Sequence, residues 1–199
     1  MLFNSVHFIL FLPLVFILYW LLPFKFRWML LLIASYYFYM SWDAKFGLLL
    51  FGTTAIDYYT ALKISETENK KIRKRWLLLS IISNLGCLFA FKYFVFSFNS
   101  AVHASNYFFN THYSILQNII IPVGLSFYTF QSLAYTIDIY RGTAPPEKSL
   151  PRFALFVSFF PQLVAGPIER FTHLMPQFYE KHKLKIEMPL TDPLFQQLN

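Results

Sequence analysis

A single cysteine, six glycines and a thin supply of charge set the first limits on this 199-residue chain. One thiol, Cys87, excludes an internal disulfide framework. It lies within an apolar run, where a free cysteine behaves as a small core hydrophobe. No glycine-rich phosphate loop, no Gly-x-Ser-x-Gly elbow and no His/Cys metal-ligand spacing occurs, so no soluble-type catalytic motif is present. The five histidines, His7, His103, His112, His173 and His182, all fall outside the middle of the apolar runs. His103 and His112 are nine apart, which is not a ligand spacing. Charged residues make up only 14% of the chain, against roughly 25% in soluble domains.

What is present is apolar and aromatic: 56% hydrophobic residues and 21% Phe, Trp and Tyr. The pattern predicts an all-α integral membrane protein with about five transmembrane helices, at 6–22, 28–42, 46–62, 76–98 and 115–139. The first run has no basic leader and no small-residue cleavage site, so it reads as a retained helix. A sixth apolar piece, 153–168, contains Pro161, Gly166 and Pro167. These break a helix and predict a bent or re-entrant segment. The membrane portion is expected over 1–180, with a polar cytoplasmic tail at 181–199.

Charge tests this division independently. Lys25 and Arg27 follow the first run. Lys63, Lys70, Lys71, Arg73, Lys74 and Arg75 follow the third, and Arg141, Lys148 and Arg152 the fifth. The intervening connections hold only Asp43 and Lys45, and no formal charge between 100 and 114. Basic residues collect in cytoplasmic loops, so the N-terminus is placed outside. Arg170, Lys181, Lys183 and Lys185 then put both ends of the sixth piece on the cytoplasmic side. The net charge of +7 therefore points to anionic lipid headgroups and topology, not to nucleic acid.

Charge at membrane depth costs about 2.5–3.5 kcal/mol on insertion scales, so Asp57, Lys92 and Asp138 need partners or an exit. Lys92 stands about 24 Å above the start of its span at helical rise, too far from either aspartate to pair, and is expected to snorkel. In the fifth span, Gly124, Tyr128, Gln131, Tyr135 and Asp138 share one helical face, with Ser132 and Thr136 beside it. Such a stripe must face protein or a water-filled cavity. Spacing leaves open a hydrogen-bonded helix seam and the wall of a substrate tunnel.

Several longer motifs carry a resemblance. They are MLFNS at 1–5, ASYYFYMSWD at 34–43, FKYF at 91–94, PVGLSFYTFQ at 122–131, DIYRG at 138–142 and FFPQLVAGPI at 159–168. In these the chain resembles the membrane-bound O-acyltransferase family, in its alginate O-acetylation branch. The resemblance implies a tunnel in a bacterial inner membrane, where an acyl donor, acetyl-CoA or another acyl thioester, meets an acceptor from the other face. No bound cofactor is implied. A periplasmic polysaccharide acetyltransferase is the implied partner, with the lipid bilayer as medium. Gln131, Tyr135, Asp138, Arg141, Gln162 and Gly166 match family motif positions and would shape the tunnel or its cytoplasmic mouth. The family's catalytic histidine belongs to a later motif that none of the five histidines matches. The chain is thus expected to be the N-terminal part of an acyltransferase, inactive alone. The alternatives are a small channel or assembly subunit and one half of a split acyltransferase.

The charge alternation has a direct check. A reporter enzyme active only outside the cytoplasm is expected to be active when fused after residue 45 and silent when fused after residue 70. Equal activity at both sites would refute the alternation.

Overall fold

A computed structural model of the chain describes residues 5–109, 122, 124–163, 166 and 169–181. All regular structure among them is helical. Helix α1 (Val6–Leu21) opens on Ser5, whose Oγ accepts from the Phe8 N–H at 3.2 Å. It turns at Leu22 and Pro23 into α2 (Phe24–Met40). Arg27 secures this turn: Nε donates to the Leu22 carbonyl at 3.1 Å, and the guanidinium lies 5.0 and 4.9 Å from the rings of Tyr19 and Trp20. Asp43 caps α3 (Ala44–Glu66) and Asn69 caps α4 (Lys70–Leu88), each accepting from a backbone N–H two residues on at 2.9 Å. Short polar side chains at these positions satisfy N–H groups that the first helical turn leaves free.

Helix α4 does not end at the membrane face. It runs through a π turn (Phe89–Tyr93) into α5 (Phe94–Phe109). This corrects the expected uncharged outer loop over 100–114. No glycine or proline stands between Ser100 and Phe109 to stop the helix. Residues 110–114 lie outside the described residues, as do the start of the expected fifth span and the tail beyond Lys181.

Helix α6 (Leu125–Arg141) packs against α3 and α4. The sixth apolar piece is bent, as its prolines and glycine require. Helix α7 (Leu150–Ser158) stops, Phe159 leaves helical geometry, and the single turn α8 (Phe160–Leu163) follows. The N–H of Phe160, at this break, donates to the Ser35 hydroxyl of α2 at 3.2 Å. Broken backbone is tolerated at membrane depth where protein supplies such a partner. Helix α9 (Phe171–Tyr179), not expected from the sequence, closes the described chain by packing on α7. Its buried Phe171, Leu174 and Met175 fall at helical spacing.

The main core joins α3, α6, α7 and α9 through Leu50, Ile64, Tyr128, Tyr135, Phe153, Phe156 and Phe171. A smaller one joins α1, α2 and α8 through Phe11, Val15, Phe38 and Phe160. Outside these cores the helices are openly apolar. Ile33 of α2, Leu48 of α3 and Ile82 of α4 are 68%, 76% and 66% exposed. Soluble proteins rarely present such surfaces side by side. Among the described residues the fold is all-helical, and its apolar exterior is that of a membrane protein. By length and composition, Lys70–Tyr93 is long and apolar enough to cross a bilayer, and Val6–Leu21 is a shorter apolar helix.

Two glycines frame α6. Gly142 (φ 76°) ends it: Thr143 N–H donates to the Asp138 carbonyl at 2.9 Å and Gly142 N–H to Ile139 at 3.0 Å, a Schellman motif. Gly124 (φ 74°) precedes it, and a Cβ there would stand 2.5 Å from the Leu163 carbonyl oxygen. Gly142 has no such neighbour. Gly142→Ala is therefore expected to cost about 1 kcal/mol from left-handed strain alone. Gly124→Ala adds a backbone clash and should cost at least about 3 kcal/mol. Unfolding in mixed micelles measures both, and equal losses would contradict the close approach of α6 and α8.

Candidate functional site

The polar face of α6 is where chemistry and packing meet. Gln131 is buried, and its Nε2 donates to the Phe156 carbonyl of α7 at 3.0 Å. Four residues on, the Tyr135 ring lies 4.4 Å from Phe153 and 4.7 Å from Phe171. Its hydroxyl accepts from the Glu147 N–H at 3.0 Å. Tyr128 is fully buried and meets Tyr39 of α2 edge-on at 6.3 Å. This stretch of the stripe is thus a helix seam. At its C-terminal end Asp138 is half-buried and Arg141 exposed. Gln162 and Gly166 meet in the turn after α8. Gly166 N–H donates to the Gln162 carbonyl at 3.0 Å, and a Cβ on Gly166 would stand 2.7 Å from the Gln162 Cα. The Gln162 Oε1 is buried with no hydrogen-bond partner among the described residues. The six motif residues therefore fall into three pairs: Gln131 with Tyr135 in the seam, Asp138 with Arg141 at its end, and Gln162 with Gly166 in the turn.

On the other side of α6, Asp57 of α3 is fully buried. Its Oδ1 accepts from Ser80 Oγ at 2.6 Å and from Asn84 Nδ2 at 2.7 Å, both on α4. Ser80 Oγ also lies 3.4 Å from Thr136 Oγ1 of α6, and Ser132 of α6 faces the same carboxylate. Oδ2 makes no regular hydrogen bond among the described residues. Asp57 thus joins α3 to α4 directly and to α6 through Ser80. Ser80 and Asn84 went unread in the sequence, although a polar pair four residues apart in an apolar helix was available as a signal. Lys92, on the π turn, is exposed with Nζ 5.6 Å from the Tyr93 ring, apart from Asp57 as expected.

A second cluster gathers beyond the end of α6. Glu147 is buried. Its Oε1 accepts from the Ser149 N–H at 2.9 Å and its Oε2 from the Tyr179 hydroxyl at 2.9 Å. Burial pushes the Tyr179 phenol above its ordinary range, and Arg152 opposes the shift. The Arg152 guanidinium lies 4.3 Å from the Tyr179 ring and 5.4 Å from Trp28. Sequence reading missed Glu147, since its partners Tyr135 and Tyr179 lie 12 and 32 residues away. Arg73, read from sequence only as part of a topogenic basic cluster, donates through Nη2 to the Tyr140 carbonyl at 2.7 Å and caps α6. Among the described residues no group of three or more His, Cys, Asp or Glu could hold a metal ion.

The chain is 42% identical over 176 residues to a probable alginate O-acetylase of Pseudomonas aeruginosa, covering 88% of the chain and 34% of that protein. It is 41% identical to the corresponding protein of Azotobacter vinelandii, over 88% of the chain and 35% of the relative. A peptidoglycan O-acetyltransferase of Helicobacter pylori is 36% identical over 92% of the chain and 39% of its own length. The chain spans about a third of the length of these curated relatives. No family model and no solved structure matches it.

Removing Asp57 strips Ser80 and Asn84 of their shared buried acceptor, and removing Ser80 leaves Asp57 with one donor fewer. Asp57→Ala is expected to destabilise the folded chain by about 2–4 kcal/mol and Ser80→Ala by about 1 kcal/mol. Their double-mutant cycle should show coupling of about 1 kcal/mol or more. Additive losses in micelle unfolding would show that the carboxylate does not hold α4.

Proposed function

We propose, on its likeness to the alginate O-acetylases, that the chain forms the N-terminal part of a multi-pass membrane O-acyltransferase. The complete enzyme would pass an acetyl group from a cytoplasmic thioester to an extracytoplasmic polysaccharide such as alginate. The observation that carries this reading is a shared likeness to relatives named for different acceptors. The chain is 42% identical to an alginate-acetylating relative and 36% identical to a peptidoglycan-acetylating one. A portion common to both fits steps common to both: admitting the donor and moving the acyl group. Acceptor choice then belongs to other parts or partners.

In this reading the chain crosses a bacterial inner membrane about five times with its N-terminus outside, and α7 and α8 form the cytoplasmic re-entrant segment. The bent geometry and the Ser35 contact at its break support that placement. Asp138 and Arg141 would line the donor mouth, and Gln162 and Gly166, about 20 Å away beside the start of α6, the tunnel beyond it. The Gln162 Oε1, without a partner among the described residues, offers an acceptor to an incoming N–H or to adjoining protein. Gln131 and Tyr135 position this mouth by fixing α6 against α7 and the 145–149 loop. None of the five histidines is proposed as the base. A channel reading finds less support, because the polar face of α6 is filled by protein along Tyr128, Gln131 and Tyr135.

The test is transfer from labelled acetyl-CoA in membranes carrying the chain. No transfer is expected from the chain alone, and transfer is expected when the remaining portion of a relative is co-expressed. Gln162→Ala should then lower the restored rate about tenfold, the order of one lost polar contact in the transition state. Turnover by the chain alone would refute its proposed inactivity, and an unchanged rate in the variant would remove Gln162 from the tunnel.

A further inference from the structure

Two cavities lie on either side of Phe178 of α9, which lines both. One, of about 330 Å³, is lined by Lys25, Trp28 and Met29 of α2, Arg152 of α7, and Phe178 and Tyr179. The other, of about 300 Å³, lies between α1, α2 and α8 and is lined by Leu12, Val15, Phe16, Leu31, Phe160 and Phe178 among others. The first ends in two cations and the second is almost wholly apolar. No acidic side chain lines either.

The chemistry of the cationic end is specific. The Arg152 guanidinium lies over the Trp28 and Tyr179 rings, and the Tyr179 hydroxyl takes one of its donors. This leaves further N–H donors at the guanidinium edge for oxygen ligands. Among the described residues no carboxylate lies within ion-pair distance of it, and Glu147 is engaged by Tyr179 and Ser149. Lys25 is exposed on the same cavity wall. Arg27 adds a third positive charge, stacked on Tyr19 and Trp20, which line the apolar cavity. The stacked aromatics and three cations match a membrane–water interface on the side that carries anionic lipid.

We propose that the two cavities bind one anionic phospholipid, its phosphate held between Arg152 and Lys25 and an acyl chain laid along the apolar groove between α1 and α8. The charge calls for an anion, and the apolar groove across Phe178 from it calls for an amphiphile. A free phosphate would use only the first cavity. Such a lipid would clamp α9 and the α1–α2 turn to α7 and α8, through side chains that the acyl-transfer reading does not use. The proposal therefore stands apart from that reading.

Native mass spectrometry of the 199-residue chain, released from nanodiscs of equal phosphatidylglycerol and phosphatidylcholine, tests it. Retention of phosphatidylglycerol over phosphatidylcholine is expected. Lys25→Gln should reduce that preference about fivefold, the order expected for one basic residue near an anionic surface. Arg152→Gln should reduce it at least as much, whereas Arg152→Lys keeps the charge and should retain most of it. Lys70→Gln, removing one charge elsewhere, should leave it unchanged. Because Lys25 is exposed and makes no structural contact in the described residues, its variant reports binding even if Arg152→Gln impairs folding. An equal loss in Lys70→Gln, or no preference in the wild type, would overturn the site. Displacement of the lipid by millimolar inorganic phosphate or acetyl-CoA would assign the cationic end to a soluble phosphate and overturn the phospholipid.

Discussion

A carboxylate with no access to water must be satisfied by the protein around it, and the arrangement of α3, α4 and α6 follows from that demand at Asp57. Ser80 and Asn84 reach it from one turn of α4, and Thr136 extends the network to α6. In lipid the hydrophobic effect does not hold helices together, because acyl chains are as apolar as leucine. Directional contacts then decide which faces meet. With α3 and α4 fixed, α6 has one orientation that directs Thr136 toward Ser80 and Gln131 toward the backbone of α7.

The same requirement governs the broken segment. Ending α7 at Ser158 frees backbone groups that a continuous helix would have bonded. The Ser35 hydroxyl takes the Phe160 N–H while donating its own proton to the Leu31 carbonyl at 2.7 Å. One small hydroxyl on α2 thus makes the break tolerable. Because Gly124 lacks a Cβ, α6 can begin directly against the Leu163 carbonyl. The turn holding Gln162 and Gly166 is therefore placed by a serine and a glycine remote from it in sequence.

Most of the helices could be read from apolar runs, and the bend at 159–163 from its proline. Identity was legible in the longer motifs around 122–142 and 159–168. The expected loop at 100 was wrong because weak helix formers without glycine or proline propagate a helix already nucleated. Helix α9 escaped notice because its nine residues make a short pattern, with Pro176 inside it. The seam could be anticipated as one of two outcomes for the α6 stripe, but a periodic pattern names a face, not what covers it. Glu147 was illegible for a related reason: nothing local distinguishes a solvated loop carboxylate from one bonded by a tyrosine 32 residues later.

The continuous helix from Lys70 to Phe109 has a mechanical consequence. At 1.5 Å per residue it measures about 60 Å, roughly twice the hydrocarbon thickness of a bilayer. It cannot lie wholly within the slab while standing upright. Either it leans steeply, dragging α3 and α6 with it through Asp57, or its α5 half stands clear of the membrane. The π turn at Phe89–Tyr93, where registry shifts by one residue per turn, is the natural place for the axis to swivel. Phe96, Tyr107 and Phe108, all exposed, lie on the α5 side of that joint and would turn with it.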